Sequence, residues 1–257
     1  MATYKKRGYK PTTKEEENNL AENESTTAEV FNTLDEGANK TEAWVAKNQT
    51  YIFIIVGLAI LGVLGYLGWN EYVQKPKEAD AANEMAQAQQ YFDSALQAPI
   101  SQSDSLYNLA LNGGEGKFGF LDITENFGGT KAANLAHYYA GMAFLNTNKY
   151  QEAIDHLEEF NGEDEILAPF AKGAIGDAFM QLEQPEEALG YYEAAANMRN
   201  NEFTTPKFLL KAAILALELG DGKKAEGYLN KIKENYSETP QAKQVDIYLG
   251  QAMAMQQ

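Results

Sequence analysis

Residues 169–202 read PFAKGAIGDAFMQLEQPEEALGYYEAAANMRNNE. Small residues, Ile175-Gly176 at their centre, precede Ala188, and Tyr192 and Ala195 follow that alanine by four and seven positions. That spacing lies on one face of a helix. Small residues ahead of Ala188 let a second helix approach closely. The arrangement recurs on both sides. Proline repeats as Ala168-Pro169, Thr205-Pro206 and Thr239-Pro240, 37 and 34 residues apart. In the last two, threonine can cap a helix and proline fits its first turn. Alanine repeats as Ala153, Ala188 and Ala225, 35 and 37 residues apart. Leu157 and Phe160 follow the first, and Leu229 and Ile232 the third. Ala140-Gly141 and Ala212-Ala213 take the place of Ile175-Gly176 in the outer copies.

This spacing resembles that of tetratricopeptide repeats, helix-turn-helix units of about 34 residues. In the family frame residues 134–167 form one repeat, with Ala140, Gly141, Phe144, Tyr150, Ala153 and Leu157 on signature positions. Residues 169–202 form a second, through Gly176, Phe179, Ala188, Tyr192 and Ala195. Residues 206–238 form a third, through Ala213, Gly220, Ala225 and Leu229. The family's tryptophan is replaced by His137, Lys172 and Leu209, and Pro185 stands where tyrosine is frequent. Residues 240–255 read as the terminal capping helix that such stacks need. The resemblance implies a concave surface lined by first helices. Its inward positions are Leu135, Tyr138, Met142, Leu145, Phe170, Asp177, Met180, Lys207, Leu210 and Leu217. Aromatic and Met side chains suit adaptable contact with peptides. Helical periodicity alone also allows these residues a place in the core between repeats.

Upstream, residues 71–97 keep helical spacing through Ala81, Met85, Ala88, Phe92, Ala95 and Leu96, with Pro76 kinking or interrupting the start. Helices are expected over 103–111 and 118–127, the latter closed by Gly128-Gly129. Residues 81–127 could add one divergent unit. Gly114-x-Gly116-x-x-Gly119 matches a dinucleotide fingerprint by letter. It lacks a preceding strand and reads as a flexible loop. No segment alternates as a strand does.

Residues 51–69, YIFIIVGLAILGVLGYLGW, carry no charge. A bilayer core takes about 20 apolar helical residues, so this run is long enough to span. Trp44 and Trp69 are 25 residues apart, roughly 37 Å along a helix. They and Tyr51, Tyr66 and Tyr72 fit the two membrane interfaces. Ala59, Gly62, Gly65 and Gly68 repeat every three residues, without a GxxxG pair. The flanking lysines tie, Lys40 and Lys47 against Lys75 and Lys77. The distal basic cluster Lys5, Lys6, Arg7, Lys10 and Lys14 favours a cytoplasmic tail. Residues 1–40 are rich in Glu, Asn, Thr and Lys, a composition expected to be disordered.

The expected organisation is therefore all-α. A disordered tail, 1–40, leads to a membrane region, 41–75, with its span at about 50–69. A divergent helical segment, 76–129, leads to a tetratricopeptide α-solenoid with its capping helix, 130–257.

The 257 residues include no cysteine, which excludes disulfides, thiolate zinc sites and cysteine nucleophiles. Net charge is −16, of which the chain through Lys47 supplies −2 and the remainder −14. A body this acidic is a poor partner for nucleic acid or anionic lipid. His137 and His156 are the two histidines, without HExxH or cysteine companions, and read as packing or surface residues. Glu158-Glu159, Glu163-Asp164-Glu165 and Glu186-Glu187 read as solvated faces rather than acid/base pairs. P-loop, GxSxG and kinase motifs are absent. The reading is non-catalytic, with no cofactor and no small-molecule substrate.

The layout as a whole is similar to the YfgM family, ancillary subunits of the bacterial Sec translocon. The similarity rests on Glu42-Ala43-Trp44-Val45-Ala46-Lys47-Asn48, the glycine-rich span, and Gly68-Trp69-Asn70-Glu71-Tyr72 leading into an Ala-rich helix. The run from Gly128 to Ala136, GGTKAANLA, looks like members from the Bacteroidota. The resemblance implies a bacterial inner-membrane protein with a cytoplasmic N-terminus and a periplasmic body. It also implies partnership with a SecYEG-type channel and a PpiD-type membrane-anchored chaperone. A scaffold for another envelope complex, such as outer-membrane protein assembly, is the alternative. An enzyme would need a tight cleft of convergent polar groups.

Overall fold

A computed structural model describes the backbone of residues 14–256 and the side chains of residues 41–256. Residues 1–13, which carry most of the distal basic cluster and part of the expected disordered tail, lie outside the described residues. The chain divides into two compact units at Trp69 and Asn70.

The first unit is a single helix, α1, Lys14–Trp69. Its backbone is helical already in residues 14–40, where composition predicted disorder. Extending an existing helix adds a hydrogen bond per residue without a second nucleation step, which offsets poor composition. The helix contains a window of mean hydropathy 2.4 with none of it buried in the protein. It is, among the described residues, the one helix long and apolar enough to cross a membrane.

The second unit begins with a π-helical turn, Asn70–Gln74. Helix α2, Lys75–Gln97, follows with Pro76 at its start; Gln74 before it is already helical, so the missing N–H removes one bond from the ladder, and the π-helical turn marks the expected interruption. Then come α3, Ile100–Asn112, and α4, Phe120–Asn126. Phe92, Tyr107, Phe120 and Tyr139 form an aromatic cluster, with ring centroids 5.2 to 6.3 Å from Phe92. Glu78 ties α2 to the start of the helix that follows α4 by accepting from the backbone N–H of Lys131 and Ala132, at 2.8 and 3.0 Å.

The glycine loop between α3 and α4 is tight rather than flexible. Gly113 has φ +83°, and a Cβ there would lie 2.2 Å from the Lys117 carbonyl oxygen. A Cβ on Gly119 would lie 2.2 Å from the Leu111 carbonyl oxygen. The glycines thus serve backbone packing at this turn, and a seven-residue helix follows them.

Three helix pairs and a last helix complete the body. They are α5, Lys131–Asn146, with α6, Tyr150–Glu159; α7, Leu167–Gln181, with α8, Pro185–Met198; α9, Thr204–Glu218, with α10, Gly222–Asn235; and α11, Ala242–Ala254. The two rulers meet inside each of the first two pairs. A Cβ on Gly141 would lie 3.0 Å from the Ala153 carbonyl, and one on Gly176 would lie 3.2 Å from the Ala188 carbonyl. Ala153, Ala188 and Ala225 are all fully buried. Leu157, Ile175, Phe208, Leu229 and Ile232 fill the layers between helices, each contributing about 1.5–3 kcal/mol by burial.

Neighbouring pairs are also joined by a polar ladder. The Tyr191 hydroxyl donates to Glu158 at 2.6 Å. Tyr228 donates to Glu193, and Tyr236 to Asn200. These bonds link residues 33, 35 and 36 apart, one repeat each.

The caps differ from expectation. Thr205 does not cap α9; Asn201 does, its Oδ1 accepting from the N–H groups of Phe203 and Thr204 at 2.9 and 2.7 Å. Thr239 donates to the Tyr236 carbonyl at 2.7 Å, and Pro240 lies ahead of α11 rather than in its first turn. Thr130 and Asp221 cap α5 and α10 by accepting from Ala133 and Lys224.

Candidate functional site

The first helices of the pairs, α5, α7 and α9, carry the residues expected on a concave face. Leu135 packs partly buried against the aromatic cluster, and Met142 and Leu145 pack between it and the next layer. Tyr138 meets the Phe160 ring at 5.3 Å, and burial pushes its hydroxyl up to about 12. Phe170 and Met180 pack against the layer formed by α8, α9 and α10.

Leu210 and Leu217 take the core placement that helical periodicity also allowed. They are 8% and 6% exposed, so they are core rather than groove lining. Helix α9 packs against α8, α10 and α11. Leu217 accordingly shares a buried cluster with Ala252 of α11.

An open groove of about 600 Å³ remains beside α7. It brings together Leu145, Asp177 and Met180 of the expected set, and adds Tyr150, Gln181 and Tyr192. The Tyr150 hydroxyl donates to Asn148 Oδ1 at 2.8 Å and lies 3.4 Å from Gln181 Oε1. Asp177 accepts from the Tyr192 hydroxyl at 2.6 Å and pairs with Lys211 of α9. Burial, then the Asp177 bond, holds the Tyr192 hydroxyl far above its ordinary range. Lys207 sits over the Phe170 ring at 4.4 Å, and burial, then the neighbouring Lys211 charge, lowers its pKa.

Chemically this groove is mainly polar, with Leu145 and Met180 as its aliphatic side chains. Amides and hydroxyls at its rim can bond a peptide backbone. Tyr150 and Gln181 escaped the sequence reading as groove residues because they lie at helix ends, off the apolar period. The Tyr150 signature position was the signal available. Among the described residues no group of three or more His, Asp or Glu side chains is placed to hold a metal ion.

His137 and His156, expected to be packing or surface residues, are brought together from α5 and α6. Their Nδ1 atoms are 3.2 Å apart and the rings 5.2 Å between centroids. The His156 ring also lies 5.3 Å from Phe144. Burial lowers the pKa of both imidazoles, against the opposing charge of Glu159. The expected interface residues Trp44, Tyr51, Tyr66, Trp69 and Tyr72 are all exposed.

A family model described as Tetratricopeptide repeat matches residues 135–163 and 208–239. These are largely the α5–α6 and α9–α10 pairs. Among solved structures, the chain is similar to the nearly identical TPR-like repeats of a Podosopora anserina protein designated a kinesin light chain. The identity is 13% and the TM-score 0.47, over 70% of this chain and 87% of that one. No curated protein matches the chain.

Proposed function

We propose that this protein, a stack of tetratricopeptide repeats preceded by one long apolar helix, is a membrane-anchored scaffold that binds proteins. The observation that carries the reading is the joining of these two parts in one chain. The apolar helix supplies a means of anchoring, and the stacked helix pairs supply a surface. Tetratricopeptide repeats bind proteins and are typically non-catalytic. The groove beside Asp177 and Met180 supports a peptide-sized contact.

The finer reading is an ancillary subunit of the Sec translocon, with a cytoplasmic N-terminus and a periplasmic body. It would work with a membrane-anchored chaperone on proteins leaving the channel. What supports it is the resemblance at residues 42–48, 68–72 and 128–136, together with the acidic body. Affinity capture of the full-length protein in mild detergent, followed by mass spectrometry, tests it. Recovery of SecY-type channel subunits and a membrane-anchored chaperone is the expected result. Met180→Asp should reduce that recovery if the groove is the contact. Recovery of outer-membrane assembly proteins instead would replace the translocon reading.

A further inference from the structure

We propose that His137 and His156 form a two-histidine site for a divalent transition-metal ion of the zinc, copper or nickel class. The pair joins the two helices of the first repeat, His137 from α5 and His156 from α6. Imidazole is a favoured ligand for these metals. Two nitrogens each about 2.0–2.1 Å from a tetrahedral zinc ion are about 3.3–3.4 Å apart, and at a right angle about 2.9 Å apart. The two Nδ1 atoms, 3.2 Å apart, fall between these limits. Ring centroids radiating from such a tetrahedral ion would be about 5.1 Å apart, and the rings are 5.2 Å apart. Little movement is required to seat the ion.

Without metal the short contact is a hydrogen bond, in which one Nδ1–H donates to the other Nδ1. Binding moves that proton to Nε2 of the same ring. Both Nδ1 lone pairs then face the ion, and no net proton is lost. A cavity of about 410 Å³, lined by His137, Glu159, Asn134 and Asn161, opens on the His137 side of the pair. Water there can complete the coordination shell, and the Glu159 carboxylate offsets the charge of the ion.

The test uses the full-length protein in detergent, purified without a polyhistidine tag and stripped with chelator. Co2+ is titrated by its visible ligand-field absorption, then displaced by Zn2+. One Co2+ per chain with nitrogen-type bands is the expected result. His137→Gln and His156→Gln should each weaken it by about tenfold or more. Unchanged uptake in both variants would assign the metal to surface carboxylates and overturn the proposal, as would no uptake by the wild type. A readout without variants guards against misfolding. The chain has two histidines, so Zn2+ should protect both from diethyl pyrocarbonate in the native protein, whereas Mg2+ should not. Equal modification with and without Zn2+ would also overturn it.

Discussion

The same side chains meet opposite fates in the two units. Leu61 and Ile55 of α1 are 67% and 66% exposed, whereas Leu229 and Ile123 of the body are fully buried. Glycine divides in the same way. Gly57, Gly62, Gly65 and Gly68 have open space where a Cβ would point, but Gly141, Gly173 and Gly176 are crowded by a neighbouring helix. Leaving one large aliphatic chain in water forgoes about 1.5–3 kcal/mol. A run of them on every side of a helix is what makes α1 long and apolar enough to cross a membrane. The body brings its own apolar surroundings. One unit turns its apolar surface outward and the other encloses it, and each glycine or leucine must be judged by the unit it belongs to.

The largest effect expected from this contrast is Leu61→Lys with Leu64→Lys. Each lysine near the centre of a span costs about 2.5–3.5 kcal/mol of insertion, so the pair should shift the protein out of the membrane fraction. The body's melting transition should stay where it was. Carbonate-extracted membranes and circular dichroism read the two outcomes separately. A body that melts earlier in this variant would show that α1 serves the repeats as well as the bilayer.

The contrast itself was legible in the sequence, because a charge-free run and a period near 35 residues are both one-dimensional signals. The alanine and small-residue rulers predicted contacts that Gly141 and Gly176 make with Ala153 and Ala188. What was not legible depends on which elements close around a residue. Leu210 and Leu217 share a helical register with Met142 and Met180, but α11 closes over their end of the stack. Thr205 is no cap because α9 already begins at Thr204, which leaves the first N–H groups to Asn201. The pairing of Asp177 with Lys211, 34 residues away, needs the stacking of α7 beside α9 to appear. His137 and His156 are 19 residues apart in sequence, and the turn between α5 and α6 brings them together.

A matched pair of glycine substitutions should give the next largest difference. A Cβ at Gly173 would lie 1.9 Å from Cε1 of the buried Phe208 ring. Gly173→Ala should therefore cost about 1–3 kcal/mol through overpacking. That lowers the melting temperature of the body by several degrees. Gly62→Ala should leave the body unchanged and raise helicity in α1, where alanine is favoured by up to about 1 kcal/mol. Equal losses from the two would erase the distinction.

Among the polar contacts, Tyr228→Phe should cost about 0.5–1.5 kcal/mol, because it removes one donor from Glu193 while Lys224 still pairs with that carboxylate. The tyrosine ladder also gives the body an alkaline limit. Burial and carboxylate neighbours raise the hydroxyl pKa values of Tyr191, Tyr192 and Tyr228 in the folded state, Tyr191 to about 12. A raised folded value means that this stabilisation is complete below the unfolded value near 10 and is lost as pH rises toward the folded ones. Tyrosinate absorbance and circular dichroism should show unfolding with late titration. Loss of structure well below pH 10 would contradict the ladder.

The smallest effect isolates backbone conformation from packing. The turns after α5, α7 and α9 each place one residue at positive φ: Asn148 at 60°, Glu183 at 58° and Gly220 at 82°. The left-handed region costs an ordinary L-residue about 1–2 kcal/mol, and glycine very little. Glycine gives back part of that advantage through its freer unfolded chain. Glu183→Gly should thus stabilise the body by about 0.5 kcal/mol, and Gly220→Ala should destabilise it by about 1 kcal/mol. No atom crowds a Cβ at Gly220, so a loss there reports dihedral angle alone. Gly62→Ala in α1, where packing is equally absent but the backbone is helical, supplies the reference. If Gly220→Ala proved as harmless as Gly62→Ala, crowding would remain as the sole difference between glycines of the body and those of α1.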